Sequence, residues 1–437
     1  MPFNRERAVQ LMDKYDADAL IATTPENVFY FTGYAGWMTR RYKQWQRRAG
    51  SHHTSMQVYA VLPRDEAVTP SLIVPMAGGY YNAQIPGWVR LKDIWTYGGR
   101  YPQERPPGVE VTRPEELRFE EILAAESRNS PSAGEALVEV LKERGLEKRR
   151  VGLDMENLDP IVGKMLSSKF PQARFGNACE LIRLIRMVKT PKEMDCLKRA
   201  AAVNEKAIES LVRRIGEGIS EKELLQTYRE NVVKQGADVD FFIIRAGPRV
   251  TGHWPPSDYK IKRGDVILWD VGCIVDQYHS DTGNVAVLGK PAKELLTLYE
   301  RCNEGIQTAL ETVAPGVKTS EVADALDEGP AKFGCPHALT GTLHGIGLEI
   351  RDYPIDAPVD PKGLSDDFVK PMSTDIPLER DMIINIENPY RKLGVGAVQI
   401  EFTLRVTESG CQFLLPQERC LNIVGEERLF VLGSKQL

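Results

Sequence analysis

Short apolar runs alternate along the chain with longer stretches in which apolar residues recur at helical spacing, a pattern that predicts an α/β fold. Residues 3 to 15 read as an amphipathic helix capped by Asn4, with Val9, Leu11 and Met12 turned inward. "DALIA" reads as a buried strand, "TTPEN" as a turn and "VFYFTGY" as a further apolar segment. Strands are expected at "MQVYAVLP" and "SLIVP", and helices around 133–144 and 158–167. The polar stretch "FPQARFG" is the best boundary. After it, Pro191 can open a long helix running to about 213, and Ser220 followed by Glu221 and Glu223 starts another near 220–236. Strands at "DVILWDVG", "NVAVLG", "MIINIE" and "VQIEFTLRV" alternate with helices at 291–312 and 318–329. A chain of 437 residues is too long for one core. Two domains are expected, 1–172 and 173–437, in an α/β (α+β) fold.

Composition acts mainly by exclusion. A formal net charge of -5 argues against a general nucleic-acid binder. One stretch departs from that balance: "WMTRRYKQWQRRAGSHH", residues 37–53, interleaves basic and aromatic residues and holds no acid. Such a segment can bind single-stranded nucleic acid. In an acidic chain the plainer reading, an exposed loop or a subunit contact, is preferred. The 7 cysteines form no C-x-x-C pair, which argues against a disulfide framework or a cysteine-built zinc site and fits a reducing compartment. No apolar run is long enough to span a bilayer, and the N-terminus lacks the apolar core of a signal peptide. A cytoplasmic protein with no membrane partner is expected.

The second half carries the candidate chemistry. Asp270 sits in the apolar run "VILWD", Asp281 follows "HS", and His344 lies between glycines in "HGIG". Glu387 ends "MIINIE" and Glu401 lies inside "VQIEF". A carboxylate buried in apolar strand sequence suffers a large desolvation cost unless a cation or an ion pair offsets it. Each residue alone is ordinary, an acid at a strand end or a structural histidine. Together, four carboxylates and one imidazole call for two divalent ions, and the oxygen-rich set favours Mn²⁺, Fe²⁺, Co²⁺ or Zn²⁺. Paired ions suit hydrolysis, because they activate a water and stabilise a developing oxyanion.

These segments resemble the two-domain metallopeptidases of the pita-bread fold, the group of prolidase, aminopeptidase P and creatinase. "DVGCIVDQYHSD", "HGIGLE", "INIENPY" and "QIEFTLRVTESG" match that family's motifs in order. "DALIATTPENVFYFTGY" looks like its N-terminal domain, and "IRMVKTPKEMDCLKRAA" like the start of its catalytic domain. The resemblance implies that Asp270 binds one metal, that Asp281 and Glu401 bridge both, and that His344 and Glu387 complete the second. It also implies that His253, in "AGPRVTGHWPP", is an active-site histidine, and that the protein is a homodimer.

Several positions depart from the family pattern. Arg351-Asp352 stands where H-E is usual, and Asn284 and Gln399 stand where arginines are usual. Phe402 follows the last candidate ligand in place of an acid, and Asn388-Pro389 follows Glu387. Arginine is permanently charged and offers a planar fork of donors, so Arg351 is a poor proton shuttle and a good clamp for a substrate carboxylate. The plainer reading of Arg351 is an ion pair with Asp352 or another nearby acid. The leading expectation is a metal-dependent hydrolase of Xaa-Pro dipeptidase or aminopeptidase type that cleaves a C–N bond of a dipeptide or small molecule. The alternatives are a non-peptide enzyme of the same fold, creatinase-like, ectoine-hydrolase-like or a dimethylsulfoniopropionate-type lyase, and a metal-free binding protein.

Overall fold

The structure, a computed structural model, describes residues 3–36, 57–76, 86, 89–99, 106–114, 116–117, 120–121, 128–334, 341–355, 375–416, 420–425 and 430–431. The basic aromatic stretch 37–53 lies outside the described residues. The chain separates into two compact units, which part between Ile185 and Arg186.

The first unit is built on one sheet of seven strands: β1 (Ala19–Ala22), β2 (Tyr59–Pro63), β3 (Ser71–Pro75), β4 (Ile94–Tyr97), β5 (Asn129–Ser130), β6 (Arg150–Leu153) and β7 (Arg174–Asn177). Their order is β5-β4-β3-β2-β1-β6-β7. β1, β2 and β3 are joined antiparallel and the other neighbours are parallel. The first three strands are buried at every position, which is why they read as unbroken apolar runs. β7 lies beyond residue 172 and is hydrogen-bonded into this sheet.

Helix α1 (Arg5–Lys14) has the predicted Asn4 cap, whose side chain accepts from the Arg7 N–H. Its buried residues are Ala8 and Met12, while Val9 and Leu11 are only half-buried. "VFYFTGY" is no loose apolar segment. Thr24 caps a helix, α2 (Pro25–Thr32), with Pro25 in its first turn, and Gly33 ends it at φ 71°. The buried carboxylate of Asp154 holds that start in place, accepting from Thr23 N, Thr24 N and Asn27 Nδ2. Helices α3 (Ala133–Glu143) and α4 (Pro160–Lys169) fall where the apolar spacing places them.

Helix α5 (Cys179–Met187) runs across the boundary between the units. In the second unit, α6 (Pro191–Arg214) and α7 (Glu221–Lys234) start at capping boxes, Thr190 with Glu193 and Ser220 with Glu223. Two further helices are α8 (Lys293–Thr312) and α9 (Thr319–Asp327). One sheet contains β8 (Asp238–Ala246), β9 (Val266–Val275), β10 (Tyr278–His279), β11 (Thr282–Leu288), β17 (Cys420–Val424) and β18 (Phe430–Val431). The other contains β12 (Thr342–Gly345), β13 (Asp352–Ile355), β14 (Ile383–Lys392), β15 (Gly396–Val406) and β16 (Cys411–Phe413), in the order β13-β12-β14-β15-β16. β11 of the first sheet packs beside β15 of the second, and every candidate ligand lies on or next to β9, β11, β12, β14 or β15.

Cys179, Cys196, Cys273, Cys302 and Cys411 are free thiols. Among the described residues, no helix is long and apolar enough to cross a membrane.

Candidate metal centre

Strand register assembles the site. On β14 and β15, Glu387 pairs directly with Glu401, and on the other side of β14 it pairs with Thr342 of β12. His344 pairs with Asn385, two residues before Glu387 and therefore on the same face of the strand. On the neighbouring sheet Asp270 pairs with Gly283 of β11, and Asp281 immediately precedes that strand. A Cβ at Gly283 would clash with the Gln399 side chain and lie 2.8 Å from Glu401 Oε2, so the absent side chain makes room for both.

All five predicted residues come together, in two groups. Asp281, His344 and Glu401 form one, Asp270, Glu387 and Glu401 the other, and Glu401 is common to both. His344 Nε2 lies 3.6 Å from Asp281 Oδ2 and 3.9 Å from Glu401 Oε1. The other ring nitrogen, Nδ1, is 3.0 Å from the carbonyl oxygen of Gly345, which favours a proton on Nδ1 and a lone pair on Nε2.

The electrostatics favour a cation. Burial first, then repulsion from Glu401 and Asp270, pushes the Asp281 carboxyl well above the ordinary carboxylate range. Burial and the neighbouring Glu387 do the same to Glu401 and raise Asp270 to about 6. Burial and the charge of Arg351 lower the His344 pKa, which keeps the imidazole in its ligating form. Asp281 Oδ1, His344 Nε2 and Glu401 Oε2 are buried and have no hydrogen-bond partner among the described residues. Buried polar atoms are rarely left so. Hard oxygens with one imidazole nitrogen, unsatisfied and mutually repelling, fit divalent ions.

Sequence reasoning gave no site role to Asn385 or Thr342 and noted Gln399 only as a departure. Asn385 Nδ2 donates to Glu401 Oε1 at 2.8 Å, and Thr342 Oγ1 donates to Glu387 Oε1. Gln399 Nε2 donates to Asp270 Oδ2 at 2.9 Å and to Glu387 Oε2 at 3.3 Å. The signal was present: Asn385 and Gln399 each stand two residues before a buried glutamate in an apolar strand, and so share its face. The other departures point elsewhere. Asn388 reaches the Leu326 carbonyl at 2.8 Å, fastening β14 to α9. Phe402 is buried edge-on against Phe413, and Asn284 caps its neighbour's N–H.

Arg351 and Asp352 part company. Asp352 is buried between Arg186 and Lys189, each 3.2 Å away. Burial opposes its ionisation, but Arg186 and Lys189 overcome that and hold its carboxyl at about 2. Arg351 instead places Nη2 3.2 Å from Glu387 Oε1, with 53% of its side chain exposed. His253 is exposed on the loop after β8 and, among the described residues, makes no hydrogen bond to the five. Partial burial and the charges of Arg391 and Arg245 lower its pKa. A cavity of about 660 Å³ touches the centre through Glu401, but the rest of its lining, including Glu205, Trp269, Thr282 and Asn284, lies toward α6.

The comparisons agree with this geometry. Residues 195–408 match the family model of metallopeptidase family M24, and residues 4–74 and 108–188 match the creatinase/prolidase N-terminal domain. The chain is 28% identical over 258 residues to a Xaa-Pro dipeptidase of Pyrococcus horikoshii, covering 58% of this chain and 70% of that one. It is 29% identical over 244 residues to the Xaa-Pro dipeptidase of Pyrococcus furiosus, covering 55% and 66%. The fold is that of an X-Pro aminopeptidase from Thermotoga maritima, with a TM-score of 0.66, 20% identity and coverage of 96% and 99%. A prolidase from Pyrococcus horikoshii gives a TM-score of 0.64, 21% identity and coverage of 95% and 98%. The two family models fall on the two units of the structure, and the candidate centre lies wholly within the second. The chain belongs to metallopeptidase family M24, in the two-domain form with a creatinase/prolidase-type N-terminal domain and a pita-bread second domain, and it is a metal-dependent hydrolase.

Proposed function

We propose that Asp270, Asp281, His344, Glu387 and Glu401 hold two divalent ions (Mn²⁺, Fe²⁺, Co²⁺ or Zn²⁺) and that the enzyme hydrolyses a C–N bond in a dipeptide bearing a free carboxylate. The observation that carries the proposal is the grouping of Asp281, His344 and Glu401, each with a buried ligand atom that has no hydrogen-bond partner among the described residues. The dipeptide substrate is supported by the relatives' names, Xaa-Pro dipeptidase. When bound, the ions would supply charge neutralisation, polarisation of a carbonyl and an acidified water.

The chain's own residues supply the rest. Asn385 fixes one oxygen of Glu401 and leaves the other available to a ligand. The Gly345 carbonyl orients His344. His253, held neutral near pH 7 by its lowered pKa, has one N–H to offer a substrate carbonyl or a leaving amine. Arg351 spends one nitrogen on Glu387 and is otherwise open to solvent, so its remaining donors suit a carboxylate. The proposal includes a cytoplasmic homodimer.

A second reading, a small non-peptide substrate, is favoured by one observation: Arg351 reaches the centre where the resemblance implies a histidine. A mass-spectrometric screen of Mn²⁺-loaded protein separates the two. X-Pro and other dipeptides, their C-terminal amides, creatine, acylated diamino acids and sulfonium or betaine carboxylates would be supplied. Cleavage of a dipeptide but not of its amide is expected. Turnover of a non-peptide alone would select the second reading.

A further inference from the structure

Arg245, on β8, is a buried cation without a counter-ion. It is 1% exposed and, among the described residues, forms no ion pair. Nη1 donates to the Gly252 carbonyl, which fastens the loop just ahead of His253. Nε is buried and has no hydrogen-bond partner among the described residues. The acids whose charges reach Arg245, Asp270 and Glu221, are both engaged elsewhere. Glu221 accepts from Ala246 N, Arg249 Nε, Ser257 N and Ser257 Oγ. Asp270 accepts from Gln399 and is a proposed metal ligand. A buried charge left unpaired is costly, so an arginine placed this way calls for an anion.

Strand register sets Arg245 beside the centre. It pairs with Leu268 of β9, two residues before Asp270, whose own partner on β8 is Ile243. Arg245 therefore shares the face that carries Asp270, offset by roughly 7 Å along the strand. On β14, Arg391 lies four residues beyond Glu387 and on the same face. Arg391 is exposed and, among the described residues, makes no hydrogen bond or ion pair. Burial, then the like charge of Arg391, lowers the Arg245 pKa to about 10. Two like charges converge, one buried and one open to solvent.

We infer that Arg391, backed by the buried charge of Arg245, forms an anion subsite beyond Asp270, and that the enzyme prefers dipeptides carrying an acidic side chain as well as the terminal carboxylate. In the proposed reaction Arg351 serves the terminal carboxylate, which leaves this second pair for a second negative charge. Arg391 offers its planar fork from the solvent side, and Arg245 adds positive potential from an interior where charge is poorly screened. The inference rests on the proposed dipeptide reading.

The test supplies Mn²⁺-loaded, full-length protein with two matched pairs, Glu-Pro with Gln-Pro and Ala-Glu with Ala-Gln. kcat/KM is measured for peptides that are cleaved and a calorimetric Kd for those that are not. The acidic member of at least one pair should be favoured roughly tenfold or more, the worth of a charged hydrogen bond. Arg391→Met should abolish that preference and Arg391→Glu should reverse it, with circular dichroism and Mn²⁺ content unchanged. Arg245→Met should also reduce it, whereas a purely structural loss around His253 would weaken both members of a pair alike. Cleavage without a charge preference, or a preference that survives Arg391→Met, would overturn the inference and leave the dipeptidase reading in place. A preference in binding with no peptide cleaved would uphold the subsite and overturn the dipeptidase reading. No cleavage and no preference would overturn both.

Discussion

Glu387 on β14 stands directly opposite Glu401 on β15, two carboxylates paired across antiparallel strands. Like charges so placed destabilise a sheet. Their neighbours are Asp270 and Asp281, so the repulsion is concentrated in one buried spot. A fold keeps such an arrangement when something positive occupies it, and that requirement makes stability and metal binding two readings of one site.

Metal-free Glu401→Gln should therefore be more stable than the metal-free wild type, by about 1 kcal/mol, the upper range for a cross-strand pair. It should also gain less from added Mn²⁺, having lost the carboxylate common to both groups. Urea unfolding with and without Mn²⁺ measures both effects. Equal stabilisation of the two proteins by the ion would show that Glu401 takes no part in binding it.

Gly283→Ala tests the space around the centre. The new methyl would clash with the Gln399 side chain and sit 2.8 Å from Glu401 Oε2, too close without movement of both. The variant should fold, with an unchanged circular dichroism spectrum, but bind Mn²⁺ roughly tenfold or more weakly. Wild-type affinity would mean that the carboxylate is not fixed where the structure has it.

Asp352 is predicted to be structural. Asp352→Asn leaves Arg186 and Lys189 facing each other in the interior with less negative charge, and should cost about 3 kcal/mol. The sign of the pH effect follows from the carboxyl's depressed value of about 2. Its contribution is present above the ordinary aspartate pKa and is lost as pH falls below it through the folded value of about 2. Denaturant unfolding between about pH 5 and 2 should show a smaller acid dependence in the variant.

Glu193 behaves in the opposite sense. Burial raises its carboxyl to about 7, with Lys189 only partly offsetting that. A raised carboxyl contributes fully below its unfolded pKa, and the contribution is lost as pH rises through the folded value. Glu193→Gln keeps an acceptor for the Thr190 N–H and removes the titration. The variant should gain on the wild type between about pH 5 and 8. A difference that does not change with pH would place the Glu193 pKa elsewhere.

The long elements were legible because their signals are local. Thr190 and Ser220 announce α6 and α7 through capping boxes, and β1 to β3 through unbroken apolar runs. "VFYFTGY" was not legible as a helix, since Thr24 and Pro25 resemble a turn until Asp154, far along the chain, is seen to fasten them. The five ligand candidates stood out as charges in apolar strands. What joins them did not, because the pairing of Glu387 with Glu401 and of Asp270 with Gly283 is a matter of register between strands. The destination of Arg351 was equally hidden. Its sequence neighbour Asp352 is taken by Arg186 and Lys189, which leaves Glu387 as its partner.

Metal content after equilibrium dialysis against Mn²⁺, in the wild type and in Asp281→Asn, tests the central claim most directly. Asp281 is buried in the centre, with one oxygen near His344 and the other without a hydrogen-bond partner among the described residues. The wild type should retain as many as two ions per chain, and Asp281→Asn should lose at least one together with hydrolytic activity. Equal metal content in the two proteins, or activity that survives complete chelation, would contradict the account.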